Sequence, residues 1–157
     1  MRCHVPYRVI LSFTVIALTL SSKAQTPNIT NSHDAKIIAA VRAVLDRQRD
    51  AWNRGDIEAY MDGYERSPET VFVWGDQVMR GWQSVLERYK KSYNSREKMG
   101  TLTFSDLEIT PFGKNAALVL GRWRLQRAND EPHGRFTLIL RKTKAGWRIV
   151  HDHTSAA

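Results

Sequence analysis

The chain has 157 residues, with 24 Lys and Arg against 16 Asp and Glu and a formal net charge of +8. Hydrophobic residues make up 42% of it, and Cys3 is the one cysteine. Collagen-like, coiled-coil and disordered classes are excluded by this composition, and the length suits one hydrophobic core rather than two.

The N-terminus reads as an export signal. Residues 1–8 carry Arg2 and Arg8 without an acid, and residues 9–20 form an apolar run broken by Ser12, Thr14 and Thr19. Ser22 and Ala24 then place small residues where a signal peptidase reads. A membrane-spanning helix needs about 20 apolar residues, more than this run supplies. The expectation is therefore a cleaved signal peptide over 1–24, no stable membrane anchor after cleavage, and a periplasmic or secreted chain. Cys3 leaves with the signal, so the exported chain has no disulfide to form and depends on packing. The remaining basic residues are scattered, with Lys90-Lys91 and Arg141-Lys142 as the adjacent pairs. That distribution argues for a solvated surface and against nucleic acid as a partner.

Residues 25–33 are polar and contain Pro27, the pattern of a flexible leader, and the folded domain is expected over 34–155. Ile37, Ile38, Val41, Val44, Leu45 and Trp52 recur at helical spacing and predict one long amphipathic helix. Asn53-Arg54-Gly55 ends it, and Asp56 caps a short second helix carrying Ile57, Tyr60, Met61 and Tyr64. Ser67-Pro68 breaks that helix. Residues 70–74 are β-formers, Gly75-Asp76 is turn chemistry, and 78–80 pair back as a short strand. A third helix follows Gly81 over 82–93, with Val85, Leu86 and Tyr89 as its buried stripe.

The rest reads as strands over 102–109, 116–126, 135–142 and 147–154, separated by turn-forming segments, which makes an antiparallel meander. Phe136, Leu138 and Leu140 share one face of the third meander strand. In the last strand Trp147, Ile149, His151 and His153 share a parity, and Asp152 falls on the other. Alternation thus aims both histidines inward and Asp152 outward. Arg122 shares a parity with Leu118 and Leu120, which aims it inward as well. The apolar parity switches between Phe104 and Leu107, predicting a bulge near Ser105-Asp106. The expected fold class is α+β: a conical barrel in which a strongly curved antiparallel sheet, hairpin plus four-strand meander, wraps three N-terminal helices. Its wide mouth is the natural pocket.

This order of elements is joined by Asn53-Arg54-Gly55-Asp56, by Arg80-Gly81, and by the closing stretch from Gly146 through Trp147, Ile149, His151 and His153 to Ser155. Together they resemble the nuclear transport factor 2-like superfamily, and within it the SnoaL-like domains and the association (hub) domain of calcium/calmodulin-dependent kinase. The likeness spans about residues 34–155. It implies a cone-shaped pocket and a homodimer formed through the outer sheet face. Some relatives use the pocket for isomerisation, dehydration, epoxide hydrolysis or cyclisation, and others only for binding. Ketosteroid isomerases of this superfamily place a carboxylate on the strand after helix two, a tyrosine on helix one and a protonated aspartate on the third meander strand. Here 70–74 offer no carboxylate, the region around Leu45 has no tyrosine, and the third strand presents Phe136, Leu138 and Leu140. Arg122 matches one of the arginines that receive carboxylates in the hub domain, whereas Leu138 stands in place of another.

The candidate ligand-binding residues are Tyr60, Tyr64, Trp74, Arg122, His151 and His153, and His151 and His153 are the candidate catalytic residues. Two imidazoles at i, i+2 suit a hydrogen-bonded pair, a general base or half a metal site. His33 and His133 fall in a leader and a loop, so no third ligand is nameable and neither a metal nor a cofactor is expected. Arg122 either meets an anionic ligand or pairs with a helix carboxylate such as Asp62 or Glu65. The leading expectation is an exported homodimeric domain that binds a small, partly apolar, anionic molecule. The alternative is a cofactor-independent lyase, cyclase or hydrolase with a pocket histidine as general base, and a purely structural oligomerisation module is the third.

Overall fold

The computed structural model describes residues 32–157. The signal sequence expected over 1–24, and the leader as far as residue 31, lie outside the described residues. Helix α1 (Ser32–Arg54) opens the fold and buries Ile37, Val41, Val44, Leu45 and Trp52 along one stripe. It ends at Gly55, whose φ of +84° is the left-handed conformation that glycine adopts without a Cβ clash. Asp56 then caps α2 (Ile57–Met61) by accepting from the Ala59 amide at 2.9 Å. Asn53 bonds across to the sheet: its Oδ1 accepts from Leu102 N at 2.7 Å and its Nδ2 donates to Leu102 O at 3.1 Å.

The hairpin follows as β1 (Val71–Trp74) and β2 (Gln77–Arg80), then α3 (Trp82–Ser92). A further short helix, α4 (Arg96–Met99), departs from the expectation, so among the described residues four helices stand where the periodicity predicts three. Ser95 starts it by accepting from Lys98 N, a one-turn cap too short to register as an apolar stripe. The meander is β3 (Thr101–Phe112), β4 (Ala116–Gln126), β5 (His133–Thr143) and β6 (Gly146–Thr154).

These strands make one curved, open, six-stranded sheet in the order β2-β1-β6-β5-β4-β3. Every neighbouring pair is antiparallel except β1 with β6, so the sheet is mixed. Ahead of β1 the chain leaving α2 already runs along β6, with Ile149 N donating to Gly63 O at 2.8 Å and Glu65 N to Ile149 O at 2.9 Å. The first half of the molecule is thereby tied to the last strand.

Two irregularities shape the sheet. The first lies in β3 between Ser105 and Glu108, where Asp106 takes φ +51°, and it matches the bulge predicted from the parity switch. The second falls where β5 pairs with β6: Ile139 faces His151, but the next pair is Leu140 with Ile149, which leaves Val150 as an extra residue. No parity switch in the apolar residues announced it. On the concave side, Val119, Leu138, Leu140 and Ile149 pack with the α1 stripe into a single core. Gly121 leaves room there for Phe136, whose Cζ lies 2.4 Å from where a Cβ would stand. Among the described residues no helix is long and apolar enough to cross a membrane.

Candidate functional site

The helices and the sheet leave an aromatic cleft between them. Trp52 of α1, Tyr60 of α2, Phe72 and Trp74 of β1, Tyr89 of α3 and Trp123 of β4 contribute its walls. Trp52 meets Tyr60 at 5.1 Å and Tyr93 at 4.7 Å edge to face, and Trp74 lies tilted 5.9 Å from Trp123. Such pairs interlock and hold the walls in place. About 50 Å³ of free space remains between them. That is room for one or two waters.

Arg88 of α3 is the one charged side chain among the described residues lining the cleft. Its guanidinium lies 4.7 Å from the Phe72 ring, 5.4 Å from Trp74 and 5.8 Å from Tyr89. None of the ion pairs among the described residues includes it. Contact with ring faces compensates a cation for roughly 0.5–2 kcal/mol, less than a well-formed charged hydrogen bond. Arg88 is therefore held at the cleft with its hydrogen-bonding capacity in reserve.

Behind the cleft wall sits Asp152, 3% exposed. The sheet register flanks it with Phe72 on β1 and Leu138 on β5, two apolar neighbours. Its carboxylate accepts from the Tyr64 hydroxyl at 2.6 Å and from the Thr154 hydroxyl at 2.5 Å. Burial raises its pKa to about 6, and the two hydroxyl donors with the charges of His153 and Arg88 hold it from rising further. Tyr60, Tyr64 and Tyr89 are also buried, and burial with the neighbouring Asp152 charge pushes all three phenols above their ordinary value. Thr154 belongs both to this cluster and to the cleft lining, so it connects the two.

The predicted site residues divide accordingly. Tyr60 and Trp74 line the cleft, and Tyr64 stands behind it on Asp152. The two histidines are not inside. His153 is exposed, His151 is half-buried, and Asp152 between them is buried, the reverse of the expected orientation. The cause is the extra residue Val150: Trp147 and Ile149 point inward, but the bulge inverts the alternation, so Asp152 is the next residue to do so. Burial, then His153 and Arg80, lowers the pKa of His151 on that outer face. Arg122 is also corrected. It is exposed and lies 3.4 Å from Asp106, while Glu65 pairs with Arg141 and Asp62 with Arg66. Strand β4 is apolar on both faces, and its inward set is Ala117, Val119, Gly121, Trp123 and Leu125. Leu118 and Leu120, taken as markers of the inside, lie half-buried on the outer face.

Arg88 and Asp152 are the residues that sequence reasoning missed. Arg88 follows Val85 by three positions and precedes Tyr89, which sets it at the edge of the α3 stripe. That was a usable signal. Nothing in the sequence marks Val150 as a bulge. Among the described residues no three His, Cys, Asp or Glu side chains come together as a metal site.

Residues 41–157 match the sequence profile of the SnoaL-like domain. Among solved structures, an NTF-2 like protein of unknown function from Shewanella oneidensis is 38% identical, with a TM-score of 0.73 over 76% of this chain and 98% of that one. A nuclear transport factor 2 (NTF2-like) superfamily protein from Salmonella enterica is 25% identical, with a TM-score of 0.61 over 82% and 93% of the two chains. A ketosteroid isomerase-like protein from Erwinia carotovora atroseptica shares the fold at 19% identity, with a TM-score of 0.60 over 75% and 94%. No curated protein matches the chain significantly.

The Asp152 carboxyl yields a pH prediction. Its folded-state pKa lies above the unfolded value, so the folded state holds the proton more tightly. Stability contributed by this group is full well below the unfolded value of about 3.9 and is lost as pH rises through about 6. The stability difference between wild type and Asp152→Asn, read from denaturant unfolding, is expected to move against wild type by about 2 kcal/mol between pH 4 and pH 7. A difference that stays constant with pH would contradict the assignment.

Proposed function

The chain belongs to the SnoaL-like domain family, and we propose that it binds a small, flat, partly apolar molecule carrying one anionic group, with the ring system in the aromatic cleft and the anion on Arg88. The fold supports a small-molecule-binding or isomerase-type domain. The observation that carries the finer reading is Arg88, a guanidinium laid over Phe72 and Trp74 with no carboxylate partner among the described residues. An unpaired cation beside an apolar wall favours an anion that also has an aromatic face. The present cleft is narrow: a ligand larger than water enters as Arg88 swings off the two rings. Arg88 thus takes the role expected of Arg122. The histidines drop out of the ligand set because they lie on the other side of the sheet.

A proton-transfer reading is favoured by one observation, the raised pKa of Asp152. In that reading the carboxyl acts on a bound ligand through the Thr154 hydroxyl, and it replaces the histidine expected as general base. Binding stands ahead of it because Asp152 is enclosed by Tyr64, Thr154, Phe72 and Leu138 rather than presented to the cleft.

Export rests on the composition of residues 1–24, and the homodimer on the outer sheet face. There Ile139, 41% exposed, has Leu118 and His151 beside it in the register. An apolar patch of this kind is covered by a second copy through the same face.

Two measurements test these readings. Tryptophan fluorescence titration, reporting through Trp52, Trp74 and Trp123, is expected to show 1-naphthoate binding about tenfold or more tighter than the neutral 1-naphthamide, and Arg88→Met is expected to erase that preference. Equal affinities in wild type would remove the anion and Arg88 from the reading, and no binding of either probe would leave a structural module in place of a binding domain. Light scattering at micromolar concentration is expected to give a mass of two chains, and Ile139→Arg a mass of one; a monomeric wild type would remove the dimer.

A further inference from the structure

A second opening lies on the other side of the α1–α2 layer and shares no lining residue with the aromatic cleft. It is a groove between one face of α1, the turn after α2 and the start of β6, with about 520 Å³ of free space against about 50 Å³ in the cleft. Its floor is close-packed. Gln48 is 2% exposed and donates to Tyr60 O at 3.1 Å, and Gly63 abuts it so tightly that a Cβ would stand 2.5 Å from the Gln48 amide carbon. Three arginines rim the groove: Arg47 and Arg54 from α1, and Arg148 from β6. Two carboxylates lie there as well. Asp50 is engaged by Arg49 at 2.8 Å and Asp62 by Arg66 at 2.8 Å, in both cases arginines outside the groove. Arg47, Arg54 and Arg148 take part in no ion pair among the described residues. Among the described residues the one side-chain hydrogen bond that these arginines make runs from Arg148 Nη1 to Trp147 O at 2.8 Å, which steadies that side chain without neutralising it.

We propose that this groove is a second binding site, for the diphosphate or bisphosphate group of an organic phosphate. Guanidinium forks match phosphoryl oxygens in geometry and charge. Arg47 and Arg54 stand seven residues apart, on one face of α1 and about 10 Å along its axis. A single carboxylate reaches one of them, whereas a ligand with linked phosphoryl groups offers acceptors to both and to Arg148 facing them across the groove. With the two aspartates already held from outside, the groove keeps an uncompensated positive field that draws such an anion in. The site is independent of the aromatic cleft and of what the cleft binds.

Isothermal titration of inorganic pyrophosphate into the intact chain at fixed ionic strength tests it. Saturable one-to-one binding is expected, weakened about tenfold or more in the Arg47→Gln, Arg148→Gln double variant. An Arg42→Gln, Lys144→Gln variant removes the same net charge from exposed positions outside the groove and is expected to bind as wild type does. Arg54→Gln provides a second reading should the double variant fail to fold. Absence of saturable heat, or equal weakening by the Arg42, Lys144 control, would overturn the proposal in favour of diffuse surface charge. Competition by vesicles carrying a prenyl diphosphate would identify a lipid headgroup as the source of the linked phosphoryl groups, and lack of competition a soluble organic diphosphate or bisphosphate; both keep the site.

Discussion

One extra residue in the last strand decides what this molecule has inside it. Val150 stands unpaired where β6 passes from Leu140 to Ile139 on β5, and the strand's alternation inverts across it. Without that bulge the two imidazoles would enter the interior and Asp152 would face water. With it, a carboxylate is buried between Phe72 and Leu138, and the hydroxyls of Tyr64 and Thr154 compensate it. Burying an unpaired carboxylate is costly enough that the group either finds donors or takes up a proton. Here both responses are visible, in the two short hydrogen bonds and in a pKa raised to about 6.

The same register organises the cleft in front of that carboxylate. Because β1 runs parallel to β6 and pairs Phe72 with Asp152 and Trp74 with Thr154, both β1 rings stand beside the carboxylate cluster. Helix α3 then lays Arg88 over those rings. The Arg88 charge lowers the Asp152 pKa, so the cation at the cleft and the carboxyl behind it are electrostatically linked although no hydrogen bond joins them. An anion that draws Arg88 away would weaken that support and favour the protonated carboxyl. Ligand charge and the state of the interior are coupled through this pair.

Most of the architecture was legible in the sequence because it rests on local signals. The stripe from Ile37 to Trp52, the Gly55-Asp56 junction and the turn-forming segments between strands each act over a few residues, and each placed its element. The β3 bulge was legible too, since Phe104 and Leu107 disagree in parity. The β6 bulge was not. After Ile149 the residues Val150, His151, Asp152 and His153 suit either face, and only pairing with Ile139 on β5 and Val71 on β1 fixes the register. Arg122 was misread for a related reason: β4 is apolar on both faces, so Leu118 and Leu120 do not mark the inside. Local chemistry put Tyr60 and Trp74 at the cleft and Tyr64 just behind it, whereas the positions of Asp152 and Arg122 depend on pairing between distant segments.

The protonation state of Asp152 in the intact folded chain tests the inverted register most directly. A ¹³C NMR titration following the Asp152 side-chain carboxyl carbon is expected to show a midpoint near pH 6. A midpoint at the ordinary value of about 3.9 would place that carboxylate in water. It would then be the histidines, and not the aspartate, that look into the core.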